Sequence, residues 1–399
     1  MIPEWINQGI DPVIMTYNVC GDWGINVPIY RISQFEISKP RIPSSRSEHS
    51  ANLAVIAFWA WSKFVKIPFL GSIFNLIKKK SYYNELYKIA KKIIKEHNIQ
   101  IVFSFANPQE SNILGAMMAK KLGVKFVSHF SDPWYDNPYK TFSKLGGKKV
   151  LALEKFIIKN SDRVIFINKT AQELVMKKYP ADWFKKSLTI PHCYDLKDYP
   201  DTINDKPLSD KFVLSYIGAF YKERNPEPLF KALKIIIDTD KNFADKFVIK
   251  LIGAANDYAG YSAEKIENML NAYDLRKRTE IIPPISYKES LKYMKLSDCL
   301  IVIDADMTGS PFLPSKVVDY AGSGNFIIGI TPTDSPTDIF LKNLGYKSFN
   351  YNQVNELAVY LEKLILEEIK ISINQNFLRK YDVRNTTAKL INIFNEVLS

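Results

Sequence analysis

Short unbroken apolar runs alternate along the chain with stretches whose apolar positions recur at helical spacing. Unbroken runs suit strands buried on both faces of a parallel sheet, and spaced ones suit the helices that cover it. Strands are predicted at 13–17, 101–105, 125–128, 164–167, 212–217, 247–252, 280–282, 299–304, 326–330 and 347–350. Helices are predicted at 83–97, 111–122, 151–160, 171–179, 266–273, 287–296, 354–368 and 379–398, and residues 1–10 read as the end of another. The stretch 311–330, PFLPSKVVDYAGSGNFIIGI, reads as a loop, a short helix, a glycine turn and a buried strand. Ser315 is the expected N-cap of that helix, with Gly322 and Gly324 as its stop. The alternation predicts an α/β protein in two halves.

A length of 399 residues suggests two or three domains, and an apolar fraction of 46% is enough to give each a core. The run 51–61, ANLAVIAFWAW, is shorter than the roughly 20 apolar residues a bilayer span needs. Aromatics and lysines interleave after it, in FVKIPFLGSIFNLIKKK. Two readings stay open there: an interfacial patch touching membrane or a lipid-linked acceptor, or a buried helix with a basic edge. The net charge of +12 suits an anionic partner, and the Lys-, Ile- and Asn-rich composition explains it equally well. No zinc finger, RNP motif or basic block points to nucleic acid. Cys20, Cys193 and Cys299 are odd in number and far apart, and His49, His97, His129 and His192 are scattered, so neither a disulfide framework nor a metal site is expected. A reducing cytosol fits, and MIPEWINQG does not read as a signal peptide.

The chemistry concentrates at two places. At the start of the helix near 315, backbone N–H groups and the positive end of the helix dipole attract an anion, and Lys316 adds a full charge. Asp319 lies three residues on, roughly 4–5 Å along the axis, where it suits ribose hydroxyls better than phosphate. Together they describe a nucleotide-diphosphate site, against the plainer reading of an ordinary capped helix. The second place is HFSDPWYDNPY after the strand at 125–128, since ligands of open α/β sheets sit beyond the carboxyl ends of strands. His129, Asp132, Trp134, Asp136 and Asn137 are then cleft candidates, and Asp132 is placed to accept a proton from a hydroxyl. The competing reading is turn chemistry at Asp132-Pro133 and a core plug at Trp134.

Residues 311–330 resemble the donor-binding segment of GT-B glycosyltransferases of the group 1, family 4-like type, Ser/Pro-x-Lys-x-x-Glu-Tyr-x-Ala-x-Gly-x-Pro. Pro314, Ser315, Lys316, Asp319, Tyr320, Ala321 and Gly324 match, with Asp319 in place of the commoner Glu and Pro311 where many members carry an earlier acid. A second match is the strand 212–217 with Gly218 at its end, then Arg224 before the next helix and Lys222 nearby; Ala219 stands where relatives often have Arg. Residues 190–195 resemble the family's interdomain crossing, with His192 and Cys193 replacing Asn-Gly.

The resemblance implies two facing Rossmann-like domains with a cleft between them. Residues 1–195 would form the acceptor-binding domain, short of its first strand and turn, and 196–378 the donor-binding domain. Residues 379–399 would be a helix crossing back. The implied activity is transfer of a sugar from a nucleotide-diphosphate sugar to an acceptor hydroxyl, of retaining type and without a metal or other cofactor. The acceptor would be a glycan or lipid-linked glycan of surface polysaccharide synthesis, met in the cytoplasm at the inner face of the membrane. Gly218, Lys222, Arg224, Pro314, Ser315, Lys316 and Asp319 would bind the donor, Ile282 and Ile285 its base, and Asp132 and His129 would face the acceptor. Asp304-Ala305-Asp306 has the letters of a metal motif in a place where the family keeps no metal. Two alternatives stand beside this: a non-catalytic nucleotide-sugar-binding subunit, suggested by Pro311 and the short N-terminus, and a nucleotide-sugar 2-epimerase.

Overall fold

The structure, a computed structural model, describes residues 2–17, 27–32, 68–106, 108–201, 207–257, 260–370 and 372–399. Cys20, His49 and the apolar run 51–61 lie outside the described residues. The chain forms two compact units, one of residues 2–129, 152–163 and 394–399, the other of 130–151 and 164–393.

In chain order the first elements are α1 (Ile2–Asn7), β1 (Ile14–Tyr17), β2 (Ile29–Ile32), α2 (Pro68–Glu96), β3 (Ile101–Phe105), α3 (Glu110–Leu122) and β4 (Lys125–Phe130). There follow α4 (Lys144–Asn160), β5 (Arg163–Phe166), α5 (Lys169–Met176), α6 (Ala181–Lys185) and β6 (Ser187–Thr189). The second half adds β7 (Phe212–Ile217), α7 (Glu227–Thr239), β8 (Phe247–Ile252), α8 (Ala263–Ala272), β9 (Thr279–Ile282), α9 (Tyr287–Leu296) and β10 (Cys299–Ile303). It ends with α10 (Ser315–Ser323), β11 (Phe326–Ile330), α11 (Pro336–Leu344), β12 (Lys347–Phe349), α12 (Val354–Ile365), α13 (Gln375–Leu378) and α14 (Val383–Leu398).

In the smaller unit β1 pairs with β2 and β3 with β4, both in parallel. The predicted helix at 83–97 is the second half of α2, which begins at Pro68. Its Leu86 and Ala90 pack with Leu114 and Met118 of α3. Asn112 of α3 bonds the His129 carbonyl through its amide (3.1 Å), tying the helix to the end of β4. The strand predicted to stop at 128 runs to Phe130, so His129 belongs to the sheet and not to the loop after it.

The larger unit is built on a six-stranded parallel sheet of order β12-β11-β10-β7-β8-β9. Its strands are nearly continuous apolar runs because helices cover both faces. Leu214 and Tyr216 of β7 join one core with Leu229, Phe230 and Leu233 of α7 and Leu361 of α12. Ile217 joins the opposite core with Leu291 of α9, Val317 and Val318 of α10 and Leu341 of α11. Each fully buried side chain of this size contributes about 1.5–3 kcal/mol. Strand order reverses between β7 and β10, and the crevice beyond their carboxyl ends is where such sheets hold ligands.

Two expectations at α10 need correction. Pro314, extended at φ −60° and ψ 133°, is the N-cap, and Ser315 is already the first helical residue, with no side chain capping the helix. Gly324, at φ 82°, alone makes the left-handed stop, while Gly322 lies inside the helix. Gly322 serves close packing instead: a Cβ there would sit 2.5 Å from Tyr199 Oη and 2.7 Å from Tyr194 Cγ. Gly322→Ala is therefore expected to lower stability by about 1–3 kcal/mol through overpacking. Chemical denaturation measures this, and an unchanged midpoint would contradict the packing account.

Candidate functional site

The crevice between β7 and β10 gathers the predicted donor residues. Gly218 follows β7 at φ +118°, a conformation L side chains rarely adopt, and its N–H donates to the Ile252 carbonyl (2.8 Å). A Cβ on Gly218 would lie 3.4 Å from Lys316 Nζ. Lys316, in the first turn of α10, donates to the Ile217 carbonyl (3.3 Å) and stands 4.1 Å over the Tyr216 ring. One turn along the helix, the Tyr320 hydroxyl accepts from the Ile217 N–H (2.9 Å). Two contacts one helical turn apart thus dock α10 on the end of β7.

The charges there are unusual. Burial pushes the Lys316 ammonium down to about 7; Arg224 reinforces this and Asp304 opposes it. Arg224 closes the 221–224 turn through its N–H to the Tyr221 carbonyl (2.8 Å) and lies over the Tyr221 ring. Asp304, the residue after β10, is 2% exposed and accepts from the Thr331 hydroxyl (3.1 Å). Burial raises its carboxyl, and Thr337, Arg224, Thr331 and Lys316 oppose the shift. Arg224, a lysine that a bound anion would hold protonated, and the uncapped start of a helix stand around one buried carboxylate, an arrangement that favours an anion. In sequence Asp304 has only the letters of a metal motif, Asp304-Ala305-Asp306. Its place beside the reversal of strand order is the signal that marks it as part of this cradle. Among the described residues no group of three or more His, Cys, Asp or Glu is arranged to hold a metal ion.

Asp319 is fixed from two sides. Its carbonyl accepts from Tyr199 (2.5 Å) and its carboxylate from the Tyr287 hydroxyl (3.1 Å). Burial pushes this carboxyl up to about 6, with the Tyr287 bond working against it and Asp198 adding to it. Neither tyrosine is singled out by the sequence, because residues 120 and 32 positions away reach Asp319 only through the fold. Ile282 and Ile285 are partly buried against the core that contains α9 and α10. Lys222 is exposed in the turn before Arg224, and Pro314 and Ser315 open α10.

The acceptor candidates separate. His129 is 7% exposed in the smaller unit, edge-on to Phe103 and beside Phe105 (centroids 6.3 and 4.9 Å), in a core position. Asp132 is partly buried in the larger unit, and its charge acts on His192. Burial pushes the His192 imidazole down while Asp132 pulls it up. Asp136 pairs with Lys178, and Asn137 is buried and accepts from the Tyr139 N–H (3.0 Å).

No protein family matches the chain by sequence profile, and no curated protein matches it by sequence. Solved structures do match. Sucrose-phosphate synthase from Thermosynechococcus elongatus superposes with a TM-score of 0.60 at 14% identity, covering 79% of this chain and 77% of that one. A glycosyltransferase from Rickettsia africae gives 0.60 at 14% identity, with 93% and 86% covered. HepE from Anabaena, solved in complex with UDP-glucose, gives 0.58 at 14% identity, with 77% and 82% covered. The fold is the GT-B fold of these glycosyltransferases.

Proposed function

We propose that the chain is a glycosyltransferase that takes a sugar from a nucleotide-diphosphate sugar and attaches it to an acceptor hydroxyl. The observation that carries this is the cradle of Gly218, Arg224 and Lys316 at the strand-order reversal of a GT-B fold. Neighbours of the same fold were solved with UDP-glucose and with UDP.

In the proposed reaction the bond between the anomeric carbon and the diphosphate oxygen breaks, and a bond to the acceptor oxygen forms. Negative charge grows on the departing diphosphate. Lys316, Arg224 and the N–H groups opening α10 neutralise it. Asp319, held by Tyr287, orients the ribose, and Ile282 and Ile285 pack on the base. Asp132 takes the acceptor proton, with the buried His192 imidazole within reach of its charge. The reading extends to retention of configuration without a metal, and to a glycan or lipid-linked acceptor in surface polysaccharide synthesis at the inner face of the membrane. No described helix is long and apolar enough to cross a membrane.

Binding of UDP and GDP, followed by nucleotide release from a panel of sugar nucleotides with membrane-extracted acceptor, tests the whole. Asp132→Asn should leave nucleotide binding within about twofold and cut transfer by roughly 100-fold or more, the scale of a lost general base. Full turnover in that variant would remove Asp132 from the chemistry. Release of nucleotide in no combination, with tight binding retained, would favour the non-catalytic subunit. Pro311 favours that second reading: it stands where an acid is common, and its carbonyl is occupied by the Asn168 amide (2.9 Å).

A further inference from the structure

An aromatic pair stands beside the anion cradle that neither the donor motif nor the acceptor loop explains. The rings of Tyr139 and Phe312 are stacked, with centroids 4.9 Å apart and planes 7° from parallel. They belong to loops far apart in sequence, one after β4 and the other between β10 and α10. Phe312 is 9% exposed and forms the base; Tyr139 is 41% exposed and lies on top. One face of the Tyr139 ring is covered by Phe312 and the other is not part of that stack.

Both loops are held in place. Asn137 accepts from the Tyr139 N–H through its side chain (3.0 Å) and from the Lys140 N–H through its carbonyl (3.0 Å). On the other side Asn168 holds the Pro311 carbonyl (2.9 Å), and the Ser310 N–H donates to the Met307 carbonyl (3.1 Å). A preformed platform spares a ligand the cost of ordering it.

The surroundings name the ligand. Burial raises the Tyr139 phenol, Arg224 opposes the shift, and Asp304, Glu223 and Asp132 add to it. The ring therefore lies among the cation assigned to the diphosphate and the carboxylate assigned to the acceptor. The group between those two in a nucleotide-sugar is the sugar. The wall is Pro311, Phe312 and Leu313, all buried and without a charged group for sugar hydroxyls. A hexopyranose has a flat, weakly positive C–H face that complements the negative face of an aromatic ring.

We propose that the stacked Tyr139–Phe312 pair is the platform for the donor's sugar, a pyranose laid with its C–H face on the Tyr139 ring. The inference rests on the donor-site reading above. Ring contact holds the sugar on this wall.

The test is calorimetric titration of wild type, Tyr139→Ala and Tyr139→Phe with UDP, GDP, UDP-glucose, UDP-N-acetylglucosamine and GDP-mannose. In Tyr139→Ala the affinity for the best sugar nucleotide should fall about tenfold relative to that for its bare diphosphate, which should not change. Tyr139→Phe should keep the wild-type ratio, since stacking needs the ring and not the hydroxyl. An unchanged ratio in Tyr139→Ala overturns the platform while leaving the donor site intact. Equal weakening of diphosphate and sugar nucleotide also overturns it, by showing a structural role only. Wild type that binds neither UDP nor GDP removes the donor site itself and the platform with it, a failure distinct from the other two.

Discussion

Lys316→Ala should weaken binding of UDP or GDP by at least about 100-fold, the scale for removing one partner of a desolvated charge contact. The ammonium that is lost stands over Tyr216 beside Gly218, and Ala leaves only Arg224 and the helix start to meet the phosphates. The same lysine makes binding depend on pH in a defined direction. Its ammonium is held down to about 7 from an ordinary 10.5, and a bound diphosphate stabilises the protonated form. Above pH 7 binding must take up a proton, so affinity should fall by up to tenfold per pH unit; below pH 7 this group adds no slope.

Stability of the free protein should move the other way. Between about 7 and 10.5 the unfolded chain still holds the proton and the folded chain has lost it. Stability from this group therefore rises with pH through that window and is constant below it. Calorimetry in buffers of different ionisation enthalpy counts the protons taken up, and thermal melts across pH give the stability slope. Wild-type affinity in Lys316→Ala, or binding without proton uptake at pH 8, would place the anion elsewhere.

Gly218→Val should weaken donor binding by a different route. At φ +118° a β-branched residue is strained by about 1–3 kcal/mol. Its Cβ would already touch Lys316 Nζ at 3.4 Å, and the methyl groups extend further. Nucleotide affinity is expected to drop roughly 100-fold, with a lower melting temperature; Gly218→Ala should fall between this and wild type. A Gly218→Val protein that melts early but binds UDP normally would separate backbone strain from the site and leave the glycine with a folding role only.

Much of the larger unit is legible in the chain because its elements are local patterns. FVLSYI, CLIVI and FIIGI are apolar without interruption, and only strands covered on both faces need that. Lys316 is legible because a helix-start lysine has a local signature, and Gly218 through the resemblance of its strand end to the GT-B donor-binding pattern. Caps are less legible: Ser315 has the chemistry of an N-cap, but the helix begins one residue earlier than that, with the extended Pro314 as its N-cap and Ser315 as its first residue. Gly322 reads as a stop because glycine is common there, yet its neighbours Tyr194 and Tyr199 are more than a hundred residues away. His129 reads as a cleft residue because its strand extends past the predicted end at 128.

The amino-acid order by itself determined an α/β protein, its main strands and the donor-site candidates Gly218, Arg224 and Lys316. The first two are consequences of periodicity, and the candidates of free N–H groups at a helix start and of the resemblance to the GT-B donor-binding pattern. Only the tertiary structure decided that Asp304 joins the cradle, that Tyr287 and Tyr199 hold Asp319, and that Tyr139 stacks on Phe312. The physical reason is common to all three. A side chain's partners and its proton affinity depend on what surrounds it in space, and parallel strands bring together residues that the chain keeps far apart.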